Sequence, residues 1–509
     1  MNNDAPITGG RLSLITIALS LGIFMNVLDA SIANVAIPSI AGELGVSADQ
    51  GTWVITSFAV SQAIMLPITG WLARRFGEVR LFVLSTLLFT IASVLCGLAV
   101  NLPMLVFFRV IQGAVSGPMI PLSQSILLSI YPDERKSFAT AIWTMTAVVG
   151  PICGPIFGGF LTDYYSWPWI FYINLPVGLA ASLITWAMLS GRETTRSRSP
   201  VDVVGLIFLA VGVGSLQILL DNGHDLDWFR SNVIVTLGVI SFITLTFLVI
   251  WELTAKHPIV DLALFSLRNF WIGTVSLTLG YLVYFSNVVI FPLWLQTQMG
   301  YTATWAGLAA APVGILPFFL TPLVGLILNR VDLRLITSLG FLVFAFSSFW
   351  MSSFNTSVNF QHLIEPRIIQ GLGIAFFFAP LTSIVLSGLP QERTASALGL
   401  VNFCRILGGS FGTSISVDLW NKRETLHQSN VVNYLIPTNA IYNHTLGLLT
   451  HLGFTPTQAN AVVQESVIHQ AFMLATNDMF WLSGMLFVAL LFILWLAKPP
   501  FSQARQLSE

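Results

Sequence analysis

Apolar residues in this chain come in long blocks separated by short polar breaks. The blocks fall near 12–34, 52–72, 80–100, 104–130, 138–161, 170–189, 202–220, 232–251, 270–291, 304–328, 335–353, 364–388, 396–418 and 477–497. Each holds roughly 18–25 residues, the length a helix needs to cross a bilayer core about 30 Å thick. The pattern predicts an all-α membrane protein with fourteen transmembrane helices. The first block follows a short polar segment and runs on past Asp29. It is too long for a signal-peptide core, so it reads as an uncleaved first span.

The breaks carry the basic residues unevenly. With the N-terminus inside, the inner breaks hold sixteen Lys and Arg, among them Arg11, Arg74, Arg75, Arg80, Arg192 and Arg334. The outer breaks hold only Arg230, Lys422 and Arg423. Basic residues mark the cytoplasmic side. Both termini of this multi-pass chain are therefore expected in the cytoplasm. Two breaks are longer than the rest: a basic linker at 190–200 and an outer loop at 419–476. The segments Asn439–His451 and Thr455–Ala471 of that loop read as two short helices, the second opened by Thr-Pro-Thr.

The chain also repeats itself. Arg109-Val-Ile-Gln-Gly113 returns as Arg367-Ile-Ile-Gln-Gly371, 258 residues later. The same offset carries Pro132 to Pro390, Arg135 to Arg393, Gly150 to Gly408 and Gly154 to Gly412. A fixed offset over several identities marks duplication. The expected organisation is a six-helix half over 1–190, two inserted helices over 200–255, and a second six-helix half over 266–509 with the loop 419–476 inside it. Paired six-helix halves are a known transporter architecture, with the substrate site between the halves near the midplane.

Composition agrees. Hydrophobic residues make up 55% and charged residues 9% of the 509, against about 25% charged in soluble domains. The net charge of −1 gives no reason to expect nucleic acid. Cys96, Cys153 and Cys404 all lie in apolar blocks and are expected as free thiols. The histidines of the outer loop are irregularly spaced without a cysteine, so neither a metal site nor a cofactor is expected. No Gly-x4-Gly-Lys-Ser/Thr motif appears, which removes ATP hydrolysis. The chain is not expected to be an enzyme.

Candidate chemistry lies where ionisable groups fall inside the blocks, since charge there is costly and faces a cavity or a partner. Asp29 is ~25 Å into the first span and Arg109 ~8 Å into the fourth from the other side, at 1.5 Å per residue. Both sit in the outer third of the bilayer, with Gln112 on the face of Arg109. Two readings follow: a proton-coupling pair, or an ion pair that fixes helix register. Arg405 lies near the midplane of the thirteenth span with Asn402 one turn away, and needs a carboxylate, a carbonyl or an anionic ligand. Arg367, beside Glu365, reads as an interfacial anchor at an outer helix end. Asn34 of the first span is a further cavity candidate, as are Tyr281, Tyr284, Phe285 and Asn287, which interrupt the otherwise aliphatic ninth span. In the fifth span Gly150, Gly154 and Gly158 recur every four residues and share one helix face. Pro151 and Pro155 each remove a backbone donor there. That face suits close helix contact, as a static junction or as a moving seam between bundles.

These residues resemble the major facilitator superfamily, and within it the fourteen-span drug:proton antiporters. Gly70-Trp-Leu-Ala-Arg74-Arg75-Phe-Gly77-Glu-Val-Arg80 stands where that superfamily carries Gly-x-Leu-Ala-Asp-Arg-x-Gly-Arg at a cytoplasmic gate loop; Arg74 replaces the usual acid. Arg109, Gln112 and Gly113 match the fourth-span motif, and Gly150–Gly159 the fifth-span antiporter motif. Leu28–Pro38 matches the first-span motif of the fourteen-span branch. Trp169–Pro176, Pro258–Leu262, Tyr301–Gly307 and Lys498-Pro-Pro look like the EmrB-like family of inner-membrane pumps. The resemblance implies proton-driven export of lipophilic small molecules, a periplasmic EmrA-like adaptor and a TolC-like outer-membrane channel. Export of a specific metabolite or siderophore on the same fold is the alternative.

Overall fold

The computed structural model describes residues 9–46, 48–194, 196, 202–223, 226–255, 258–328, 330–433, 435–436 and 439–501. The first half comprises α1 (Gly9–Leu44), α2 (Trp53–Phe76), α3 (Glu78–Gly97), α4 (Leu102–Ile130), α5 (Lys136–Tyr164) and α6 (Trp169–Leu189). Then come α7 (Val203–Asn222) and α8 (Asn232–Thr254). The second half comprises α9 (Arg268–Thr297), α10 (Thr304–Ile327), α11 (Leu333–Met351), α12 (Phe360–Leu386), α13 (Gln391–Val432), the short α14 (Ala440–His451) and α15 (Pro456–Leu494). No strand occurs among the described residues.

Among the described residues, twelve of these helices are long and apolar enough to cross a membrane. The expected fifth and thirteenth spans lie in α5 and α13, which are helical but not among the twelve. In α13 the reason is visible: Asn402, Arg405, Ser410, Thr413, Ser414 and Ser416 interrupt the apolar run.

Both described ends of the chain reach one face, here called the terminal face. Thr16 near the start of α1 meets the Tyr131 hydroxyl at 3.0 Å, just before α5 begins. Arg334 at the start of α11 donates to the Ala497 carbonyl just beyond α15. At this face the two halves close on each other. Arg74 donates to Ser396 Oγ at 2.9 Å, joining the end of α2 to the start of α13. A side chain at Gly70 would lie 2.7 Å from the Ser396 Cα, and one at Gly399 2.7 Å from the Leu66 carbonyl. One at Gly325 of α10 would lie 2.9 Å from the Phe138 Cα of α5. Glycine at these points lets the backbones touch.

Each half has its own apolar core. Leu19, Phe82, Phe89 and Ile126 fill the first. Phe341, Phe344, Phe377 and Phe487 fill the second, with Phe344 stacked on Phe487 at 4.6 Å. The inserted pair lies at the rim. Gln217 of α7 donates to Ser410 of α13 at 2.9 Å, and Val60 and Ile64 of α2 lie against Gly214. So α7 bridges the halves from outside. α8 packs on α7, with Leu245 against Gly212, and presents Phe242 and Leu253 at 74% and 66% exposure.

The outer loop departs from expectation. α13 does not stop near 418 but runs on to Val432, and α15 begins at Pro456 and continues into the last span. The expected second short helix is thus the leading end of a 39-residue helix. Its start is fixed as the sequence suggests: Thr455 and Gln458 form a reciprocal capping box. The extensions are pinned together by Asp478, which meets Arg423 at 2.8 Å and His427 at 2.7 Å. Trp420 donates to Thr476 at 2.9 Å. No residue of α14 is buried.

Candidate functional site

The fully buried charges of the first half meet. Arg109 Nη1 lies 2.5 Å from Asp29 Oδ2, and neither side chain reaches solvent. α1 supplies the acid and α4 the base, and the rest of the half supplies their remaining bonds. Gln112, one turn after Arg109, donates to Asp29 Oδ1 at 3.0 Å and accepts from Arg109 Nη1 at 2.9 Å. Arg109 Nε donates to the Val54 carbonyl of α2 at 2.9 Å. Its guanidinium lies 4.2 Å from the Phe58 ring centroid and 5.6 Å from that of Phe171. Asn174 of α6 donates to Asp29 Oδ1 at 2.9 Å and to Ser93 of α3 at 2.9 Å. The carboxylate therefore accepts from three side chains, and helices α1, α2, α3, α4 and α6 converge on it. Such bonds are what make a buried ion pair tolerable.

A second polar string runs one turn away. Gln62 of α2 donates to Asn26 of α1 and to Ser116 of α4, each at 3.1 Å, and Asn26 donates to the Ser116 carbonyl. Sequence reading passes over Asn174, Ser93, Asn26, Gln62 and Ser116. Their only signal is a neutral polar side chain inside an apolar run, and many such side chains simply bond their own helix. Asn402 does this: its amide donates to the Leu398 carbonyl at 2.8 Å. It is buried and turned onto α13.

The fifth-span glycines correct an expectation. Side chains at Gly150 and Gly154 would collide with Val27 and Ser31 of α1, and one at Gly154 would lie 3.1 Å from the Ile32 nitrogen. This face joins α5 to α1 within one half and is not the seam between halves. The partner face of α5, at Phe138 and Ala141, meets α10. A four-residue period identifies a face but not the helix opposite it. Gly408 and Gly412 of α13 lie against Thr278 and Leu282 of α9 in the same manner, inside the second half. Gly158 is buried. The side chains of Asn34, Pro151 and Pro155 lie outside the described residues, although the backbone there is helical.

Of the gate-loop residues, Gly70 and Arg74 stand at the contact between halves. The Arg75 guanidinium lies 5.6 Å from the Trp71 ring centroid. Gly77 has φ +91°, which only glycine adopts without strain, and it caps the start of α3.

In the second half Arg367 is buried, not interfacial. It is 2% exposed, donates to Gln370 Oε1 at 2.6 Å and to the Ala310 carbonyl at 3.4 Å, and lies 4.8 Å from the Phe291 ring centroid. Asn287 accepts from Ser483 of α15 at 3.2 Å. Between the halves, Arg405 of α13 lies between Trp143 of α5 at 5.7 Å and Tyr281 of α9 at 4.9 Å. Its Nε has no hydrogen-bond partner. Tyr281 stacks on Phe285 at 4.7 Å, and Tyr284 packs edge-on against Phe344 and Phe378. The three cysteines are free. Among the described residues no group of His, Cys, Asp or Glu is arranged to hold a metal.

Comparison with known proteins places this geometry. The sequence profile described as Major Facilitator Superfamily matches residues 19–413. The chain is 50% identical to the multidrug export protein EmrB of Haemophilus influenzae over 98% of its length and 99% of the relative's. It is 49% identical to EmrB of Escherichia coli K12, with 98% of each chain covered. It is 46% identical to the fatty acid resistance protein FarB of Neisseria gonorrhoeae, over 97% and 98%. Among solved structures, the proton:xylose symporter XylE superposes over 95% of both chains with a TM-score of 0.59 at 15% identity, a likeness of fold.

Proposed function

Since this chain belongs to the Major Facilitator Superfamily, we propose that it exports lipophilic drugs or toxic amphiphiles in exchange for protons, by alternating access between its halves. Family membership makes it a multi-pass membrane transporter of small molecules rather than an enzyme. The names of its relatives, multidrug export and fatty acid resistance, support the substrate class.

The observation that carries the coupling is the dry Asp29–Arg109 pair. A buried carboxyl group's hold on a proton depends on the donors and cations around it, and here three side chains donate, one of them the Arg109 cation. In this reading substrate and proton compete through the same half: a proton on Asp29 releases Arg109, and its loss re-forms the pair. Gln112 moves with Arg109. Arg405, Tyr281 and Phe285 line the path between halves, with Asn34, Tyr284, Asn287 and Asn402 as further cavity candidates. The contacts of Gly70 and Arg74 with Ser396 form the closed gate on the terminal face, with Arg75 and Gly77 shaping that loop.

Fourteen spans, an inner-membrane location and cytoplasmic termini complete the proposal, supported by the clustering of basic residues in the breaks on one side. The gate is then shut towards the cytoplasm, and α13, α14 and α15 project on the periplasmic side. That projection is the proposed dock for an EmrA-like adaptor, which hands substrate to a TolC-like channel. The test is a drug-susceptibility panel in an efflux-deficient host, with and without the matching adaptor. Resistance to lipophilic agents that requires both proteins and collapses with an uncoupler supports the proposal. Resistance unaffected by the adaptor removes the tripartite part.

A further inference from the structure

A groove of about 500 Å³ opens on the outer surface of the first half at the terminal face. Such a volume lies in the ~300–1,000 Å³ range of small-molecule sites. Its upper wall is apolar: Leu84 and Leu87 from α3, Leu183 and Trp186 from α6. Its lower rim is basic, with Arg75 from the end of α2, Arg80 from the first turn of α3 and Arg196 from the linker after α6. We infer that this groove binds an anionic glycerophospholipid, its phosphate at the arginine rim and its acyl chains along α3 and α6.

The linker is held so as to build the rim. Glu193 accepts from the Val79 and Arg80 nitrogens at 3.1 and 3.0 Å, and Thr194 accepts from the Glu78 nitrogen at 3.1 Å. The carboxylate thus occupies the N-terminus of α3 and lies 3.8 Å from Arg80 Nε. It is the one acid in the linker 190–200, and the start of α3 holds it. Two residues further on, the chain delivers Arg196 to the same opening.

The apolar wall faces where membrane lies. Leu84, Leu183 and Trp186 are 51%, 65% and 45% exposed on helices long and apolar enough to span. A basic rim at the end of an apolar wall matches a phospholipid end to end, and basic pockets between spanning helices are suited to anionic headgroups. A free anion would use the rim alone and leave the wall bare. A zwitterionic lipid would bring a cation of its own to the rim, beside Arg80 and Arg196. The groove lies on the far side of α3 and α6 from Asp29, so this site is separate from the coupling pair.

The probes are short-chain phosphatidylglycerol, phosphatidylcholine of equal chain length and inorganic phosphate, added to the purified full-length protein in detergent. Retained adducts are counted by native mass spectrometry. Phosphatidylglycerol is expected to be retained at least tenfold more than phosphatidylcholine. The Arg80→Ala, Arg196→Ala double variant should lose that preference, and Arg80→Lys with Arg196→Lys should keep most of it. Phosphatidylglycerol brominated on its chains should quench wild-type tryptophan emission more than that of Trp186→Phe. Equal retention of the two lipids, or a preference untouched by the alanine pair, overturns the site. Displacement by millimolar phosphate without quenching at Trp186 shows an anion site and overturns the lipid.

Discussion

Arg109 and Arg367 stand 258 residues apart in duplicated sequence and are both buried, yet among the described residues Arg109 alone of the two meets a carboxylate. At the same offset Asp29 becomes Asn287. Both arginines keep a glutamine one turn on, at 2.9 and 2.6 Å. The two halves share the cation and its amide, and at the acid's position the second half holds Asn287. Among the described residues Arg367 forms no ion pair. A proton carried as a carboxyl in this constellation has one place to bind, not two.

Replacing each arginine by methionine should therefore have unequal effects. Arg109→Met leaves Asp29 buried and unpaired, a loss of about 3–5 kcal/mol when one partner of a buried pair is removed. Arg367→Met orphans no charge and should cost less. Thermal unfolding of the two variants in one detergent measures the difference. Equal losses would place an acid at Arg367 that the fold does not show.

Asp29→Asn retains an acceptor for Gln112 and Asn174 but cannot take up a proton. The variant should insert and purify. Drug-driven proton release in proteoliposomes should fall at least tenfold. Wild-type release would assign Asp29 to holding helices together.

Gly154→Leu drives a side chain into Ser31 and Ile32 of α1. Overpacking of this kind costs about 1–3 kcal/mol. Both the melting temperature and efflux should drop, and Gly412→Leu should do the same to α13 and α9. Gly159→Leu is the control, because nothing lies within 4 Å of a side chain added there.

Cysteines at positions 74 and 396, in a background without Cys96, Cys153 and Cys404, should join through a short bifunctional thiosulfonate. Joining them locks the terminal-face contact of Arg74 with Ser396. Transport should stop and return on reduction. Uninterrupted transport with the link in place would mean that the gate lies elsewhere.

Much of this site is legible in one sequence. Asp29 and Arg109 meet where counting 1.5 Å per residue from opposite ends of two spans puts them. Gln112 follows from the i+3 rule. Asn174 does not, because a neutral amide in an apolar run acquires its role only from the helices beside it, and neighbours are a tertiary fact. The glycine face failed for the same reason: its partner proved to be α1. Arg367 was misjudged because it lies eight residues after the cap of α12 at Asn359, a depth that reads as rim. The Ala310 carbonyl and the Phe291 ring, from α10 and α9, cover it. The long helices of the loop were hidden by polar composition. Between residue 419 and Pro437 there is no glycine or proline to stop α13.

That unbroken α13 has a mechanical side. A helix is stiff over a few turns, and the 14 residues from 419 to 432 extend it by about 21 Å at 1.5 Å per residue. α15 runs back beside it, and Asp478 ties the two like a guy rope. Arg405, about a third of the way along the same rod, lies between the halves. Any tilt of the second half is thus magnified at the tip, as a pointer magnifies the turn of its axle. Whatever grips that tip is told, tens of ångströms from the membrane interior, which way the cavity faces.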